Sequence, residues 1–222
     1  MGTEIPKQYQ VIAGKPVVVH TLEQMQYCEA VDGVLVTADL VWAEQIRQWK
    51  ENFSLTKLLA IVPAGVNRQL SIQNGLIEAE RFMSRHGNSG VIIQDAVRPL
   101  TSAGLMIRLI TELKDSPCVM PVLPMTDTTY TSRDGVWVDG LLDRSTLFCG
   151  QAPEAFWYWP YLKLYREASV ETLCELSGSC QLPFSKGWKV KMIPGERENI
   201  KITYTKDLTT CERLLRERGN AI

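Results

Sequence analysis

The chain has 222 residues, 45% hydrophobic and 22% charged, with a formal net charge of -1. That length fits one ordinary domain with enough apolar residues for a core, and the near-neutral balance excludes a strong whole-chain nucleic-acid or membrane field. Six cysteines without a CxxC pair, and two histidines, His20 and His86, argue against zinc and for the reduced thiols of a cytoplasmic protein. No apolar run is long enough to span a bilayer, and no signal peptide is expected.

In chain order, residues 17–19 are three valines with strand propensity. Pro16 ahead of them and the length of the run to residue 27 predict a helix. Residues 33–37 (GVLVT) read as a buried strand, and 40–53 as a helix marked by Val41, Ile46 and Trp49. A second strand follows at 57–62 (KLLAIV), then a long helix at 67–85. Residues 90–94 (GVIIQ) form a third strand, 103–114 a third helix and 118–123 (CVMPVL) a fourth strand. Such alternation predicts an α/β fold with a mostly parallel sheet covered on both faces.

The rhythm breaks after residue 123. Residues 128–132 and 136–142 flank Arg133-Asp134-Gly135, a hairpin signal, so this part is expected to project as a β-hairpin arm over about 126–144. Residues 155–168 read as an aromatic-rich helix, and 188–193 and 200–203 as strands. The last helix starts near Thr205, with Asp207 in its first turn. No internal repeat or low-complexity segment is present, so all 222 residues are read as one domain.

In open α/β sheets a ligand sits beyond the carboxyl ends of the strands. That rule selects residues 65–71, 95–98, 126–128 and the loop before Tyr204. The strongest local signal is Gln94-Asp95-Ala96-Val97-Arg98-Pro99, an acid and a base after a buried strand. Alone, it reads equally well as a surface ion pair. It stands in an ordered series, however. Pro6-Lys7-Gln8-Tyr9 and Gly14-Lys15-Pro16 come first, then Gly65, Arg68 and Ser71. Asp127-Thr128, Asp143-Arg144, Gly150-Gln151-Ala152-Pro153 and Asn199-Ile200-Lys201 follow.

In that order and spacing the chain resembles the 2-C-methyl-D-erythritol 4-phosphate cytidylyltransferases and their relatives, the ribitol-5-phosphate cytidylyltransferases. The resemblance runs from Met1 to the last helix. It implies a Rossmann-like nucleotidyltransferase fold and transfer of CMP from CTP to a polyol phosphate, with Mg²⁺ as cofactor. The product would serve isoprenoid precursors or a surface polymer such as teichoic acid. By the same resemblance, Lys7, Asp95, Arg98 and Lys201 carry catalysis, with Mg²⁺ near Asp95. Gly65, Arg68 and Ser71, with Lys7 and Asp95, belong to the CTP side. Thr128, Arg144, Ala152, Ser177 and Lys201 belong to the acceptor side. The arm implies a homodimer with shared sites; neither a nucleic-acid nor a membrane partner is implied.

His20 is read as a packing residue without a chemical role, and so is His86. The run Phe156-Trp157-Tyr158-Trp159 is read as packing, and nothing beside Cys149 or Cys180 activates either as a nucleophile.

The chain also departs from the family. The family opens with a strand and a glycine-rich phosphate loop ending in an Arg-Met-Gly-like turn; here Met1-Gly2 already stands at that turn. Roughly fifteen to twenty residues are absent by the usual lengths of such elements, and the reading favoured is a biological start further upstream. Gln94 replaces a usual histidine, Ala152 a threonine and Glu154 a glutamine; Gly178 replaces an acid, and Tyr130 stands where the methylerythritol enzymes often keep a lysine. The Asp-Ala-Val-Arg-Pro form, the Gly-Gln-x-Pro stretch and the spacing from Leu176 to Asn199 lie closer to the ribitol-phosphate branch. The reading from another class is a non-catalytic homologue, a binding or dimerisation module on the same fold.

Overall fold

A computed structural model describes residues 5–85 and 89–219. Met1, Gly2 and His86 lie outside the described residues.

Two short strands, β1 (Val11–Ile12) and β2 (Lys15–Pro16), pair antiparallel around Ala13 and Gly14, both at positive φ. Helix α1 (Val17–Gln26) follows, and Pro16 stands just outside it in an extended conformation. The three valines are helical because burial outweighs their strand propensity. Val17 packs with Val97, Leu100 and Ile202, while Val18 and Val19 pack with Tyr9, Ala38 and Ile46. His20 is buried in α1 and its Nε2 lies 2.8 Å from the Ile12 carbonyl. Burial pushes its pKa down despite that bond.

Strand β3 (Val34–Ala38) leads through a 3-10 turn, capped by Asp39, into α2 (Ala43–Asn52). β4 (Leu58–Pro63) returns parallel to β3. Helix α3 (Arg68–Ala79) is capped by Asn67, whose side chain accepts from the Leu70 amide at 2.8 Å. It is shorter than the expected 67–85, because residues 80–82 tighten into i→i−3 turns. β5 (Gly90–Ile93), α4 (Ala103–Glu112) and β6 (Cys118–Pro124) follow as expected.

The second half carries β7 (Tyr130–Thr131), β8 (Gly140–Leu141), β9 (Phe148–Gly150) and β10 (Glu154–Trp157). Then come α5 (Tyr158–Glu167), α6 (Val170–Glu175), α7 (Gln181–Ser185), β11 (Lys191–Pro194) and α8 (Thr205–Gly219).

Three local expectations need correction. Residues 155–157 are strand rather than helix, because β10 slots antiparallel between β5 and β6. The aromatic run is packing, as expected: Phe156 and Tyr158 are fully buried, and Phe156 stacks on Tyr161 at 3.8 Å. Val136, Trp137 and Val138 are exposed and irregular, not strand. The Asp134 carboxylate takes the Val136 and Trp137 amides at 2.9 and 3.0 Å, removing them from any ladder. Residues 200–203 form no strand; the Ile202 amide donates to the Val97 carbonyl, while Asp207 takes those of Thr203 and Tyr204.

The α/β layering is Rossmann-like, but the sheet is mixed rather than mostly parallel as expected, because β9 and β10 enter it antiparallel. Its order is β11-β6-β10-β5, with β11 parallel to β6 and β10 antiparallel to both neighbours. β9 pairs antiparallel with residues 122–124 of β6, beyond the part that β10 covers. The turn between β9 and β10 contains a cis Ala152–Pro153 bond.

Among the described residues β3 pairs only with β4, and β5 only with β10. Helices bridge these two half-sheets. Ile72 and Leu76 of α3 share a cluster with Leu35 of β3 and Val91 and Ile93 of β5. Met25 of α1 and Met106 of α4 share another with Val34 and Ile92.

Candidate active site

Asp95 follows β5 in a turn closed by the Arg98 amide donating to its carbonyl at 3.1 Å. Val97 and Leu100, both buried, anchor that turn in the core. The Asp95 carboxylate is the hub of the site. Its Oδ1 accepts from Arg68 Nε at 3.2 Å and Nη2 at 3.1 Å. Its Oδ2 accepts from Arg98 Nε at 3.3 Å and pairs with Lys201 Nζ at 3.2 Å. Arg68 opens α3 and Lys201 comes from the segment after β11, so three distant parts of the chain meet here.

Burial pushes the Asp95 carboxyl up, but Arg68, Lys201 and Arg98 outweigh it and hold it below its ordinary value of 3.8. Burial lowers the Arg98 pKa, and Asp95 opposes that. A second carboxylate, Glu154, lies 3.8 Å from Arg68 Nη2. Three cations stand against two carboxylates, so the site favours an anionic ligand.

A buried amide network supports this hub. Asn199 is fully buried; its Nδ2 donates to the Ala152 carbonyl at 2.7 Å and its Oδ1 accepts from Thr101 Oγ1 at 2.9 Å. Its carbonyl accepts from Arg98 Nη1 at 2.7 Å. The Gln151 amide grips Glu196 twice, with Nε2 to the carbonyl and Oε1 from the amide, both at 3.0 Å. Gly195 packs closely beside it, and a Cβ there would lie 3.1 Å from the Val122 carbonyl and displace Gln151 Oε1. On the other side Arg68 Nη1 donates to Ser179 Oγ at 2.8 Å.

These groups border a cleft of about 530 Å³. Of the residues singled out in the sequence, Arg68, Asp95, Arg98, Ala152, Ser177 and Lys201 line it. Five others do not. Gly65 and Ser71 bond to each other instead, Gly65 amide to Ser71 Oγ at 3.0 Å, and a Cβ on Gly65 would lie 2.5 Å from Leu70 Cβ. Lys7 lies on a 3-10 turn packed on α1, and among the described residues no ion pair joins it to the hub. Thr128 and Arg144 are exposed on either side of the β7–β8 hairpin, where Arg144 Nη1 donates to the Thr126 carbonyl at 2.8 Å.

Sequence reasoning passed over Glu154, noting it only as a departure. The available signal was an acid opening an otherwise apolar Ala-Phe-Trp strand. It also passed over the contact between Cys118 and Cys180, whose Sγ atoms lie 3.5 Å apart. The Cys118 contact, burial and Glu154 push the Cys180 thiol up, which suits an inert thiol.

Among the described residues no group of three or more His, Cys, Asp or Glu side chains is placed to hold a metal. Asp95 is a single carboxylate, already shared by three cations. That donor set fits a magnesium ion carried mainly by phosphate oxygens and touched by one carboxylate.

The fold is that of the nucleotidyltransferases: the 4-diphosphocytidyl-2C-methyl-D-erythritol synthase of Anaerococcus prevotii superposes with a TM-score of 0.79 over 94% of this chain and 93% of that one, at 23% identity. The family model for IspD, 2-C-methyl-D-erythritol 4-phosphate cytidylyltransferase, matches residues 1–217, and the chain belongs to that family of cytidylyltransferase enzymes. A ribitol-5-phosphate cytidylyltransferase of Streptococcus agalactiae is 30% identical over 97% of this chain and 89% of its own length. A 2-C-methyl-D-erythritol 4-phosphate cytidylyltransferase of Cereibacter sphaeroides is 31% identical over 96% and 90%. Among the described residues no helix is long and apolar enough to cross a membrane.

Proposed function

We propose that this protein transfers CMP from CTP to the phosphate of a sugar alcohol, giving a CDP-polyol and pyrophosphate. The observation that carries the reading is the convergence of Arg68, Arg98 and Lys201 on Asp95 at the wall of one cleft. An oxygen of the acceptor phosphate attacks the α-phosphorus of CTP; the new O–P bond forms as the bond to the β-phosphate oxygen breaks. A phosphate monoester is already anionic at neutral pH, so the step asks for alignment and charge neutralisation. Arg98 and Lys201 supply positive charge beside the reacting phosphates, and Asp95 holds them in place beforehand. Arg68 braces the nucleotide side, where Gly65 and Ser71 shape the loop ahead of α3. Lys7 contributes to the triphosphate side.

Mg²⁺, when bound, neutralises phosphate charge beside Asp95. Ala152 and Ser177 border the acceptor end. Exposed Val136 and Trp137 on the arm support a homodimer in which Thr128 and Arg144 reach a neighbouring site. The protein is assigned to the cytoplasm. The Asp-Ala-Val-Arg-Pro and Gly-Gln-x-Pro stretches favour ribitol 5-phosphate as acceptor.

Pyrophosphate release tests the reading. It is measured with CTP, Mg²⁺ and either ribitol 5-phosphate or 2-C-methyl-D-erythritol 4-phosphate. Faster release with ribitol 5-phosphate is expected. No release with either acceptor, with no CTP-induced rise in melting temperature, would make the protein a non-catalytic dimerisation module.

A further inference from the structure

Two carboxylates line the cleft, and they are satisfied very differently. Both oxygens of Asp95 are engaged at 3.1–3.3 Å by three cations. Glu154 is just as deeply set, only 6% exposed, yet its nearest cation is 3.8 Å away, beyond hydrogen-bond reach. Its charge is felt at the neighbouring Cys180 thiol, which it helps push up. Glu154 lines the cleft, so its oxygens are open to donors from whatever enters.

The chemistry of that donor is narrow. Phosphate oxygens repel a carboxylate and accept rather than donate. Hydroxyl groups donate, and a charged acceptor strengthens the bond. The cleft thus sets an acceptor-only group, Glu154, beside the cations gathered on Asp95, 3.8 Å from Arg68 Nη2. Met120, Phe184 and Met192 add apolar wall for a carbon chain.

We infer that Glu154 reads the hydroxyls of the acceptor: its carboxylate accepts from adjacent hydroxyl groups of a polyol phosphate whose phosphate is held by Arg98 and Lys201. This rests on the reading of the cleft as a polyol-phosphate site and adds a specificity residue to it. A glutamine here would offer one acceptor and one donor without charge. This chain has the stronger hydroxyl acceptor.

The test is calorimetric binding of two phosphates, ribitol 5-phosphate and n-pentyl phosphate, which has the same chain length and no hydroxyls. The full chain should bind ribitol 5-phosphate about tenfold tighter or more, the scale of hydrogen bonds to a charged group. Glu154→Gln should bring the two ligands within about threefold, at an unchanged melting temperature. Lys201→Ala should weaken both ligands alike. Glu154→Gln that keeps the full preference, or a wild-type chain with no preference, overturns the inference. Polyol binding that depends on Glu154, without pyrophosphate release from CTP, would leave it standing and overturn the transferase reading instead.

Discussion

Asp95 and Asp134 each gather several donors, but from different distances along the chain. Asp95 draws on Arg68, Arg98 and Lys201, and its side chain is only 10% exposed. Asp134 draws on Ser132, Val136 and Trp137, all within three residues, and is fully exposed. Both carboxyls are held below their ordinary value, Asp134 first by the Trp137 and Val136 amides. The cleft therefore exists only when the whole fold exists, whereas the turn over residues 132–137 is held by its own neighbours.

The strongest way to break this contrast is Asp95→Asn. Three cations lose their shared partner, and pyrophosphate release should fall by about a hundredfold or more. A loss of only a few-fold, in a variant that still melts cooperatively, would mean that Asp95 does not organise the charge. Asn199→Ala comes next. It removes two bonds at a fully buried position, so urea unfolding should show roughly 2–4 kcal/mol less stability.

Acid titration sharpens the contrast further. A carboxyl with a depressed folded pKa contributes stability above its unfolded value and loses it as pH falls through the folded one. Asp95 should give its full contribution above pH 3.8 and lose it below, at about 1.4 kcal/mol per unit of displacement. Asp95→Asn should lack that limb; parallel acid profiles would count against the ion-paired hub. The smallest effect belongs to Asp134→Ala. Global stability should move by less than about 0.5 kcal/mol, while the Val136 and Trp137 amides exchange faster with solvent.

What could be read from the sequence followed the same divide between near and far. The apolar runs of β3, β4, β5 and β6 are local signals, and they fell where expected. Residues 155–157 misled because aromatic-rich helix and buried strand look alike over four residues; pairing with β5 and β6 decides between them. Residues 136–138 misled because β-propensity ignores a side chain two positions back that captures amides. Asp95 and Arg98 stood out as a motif, and Lys201 only through resemblance. Glu154 was legible as a substitution but not as a cleft residue, since its burial depends on α3 and the 177–181 segment closing over it.

Among the described residues β3 and β5 form no ladder with each other, which bears on how Arg68 reaches the cleft. Arg68 begins the helix that follows the β3–β4 pair, while Asp95, Arg98 and Lys201 belong to the five-stranded half. The Arg68–Asp95 contact thus straddles a boundary held by side-chain packing rather than by main-chain bonds. That ion pair therefore ties the helix that opens with Arg68 to the half that carries the rest of the hub.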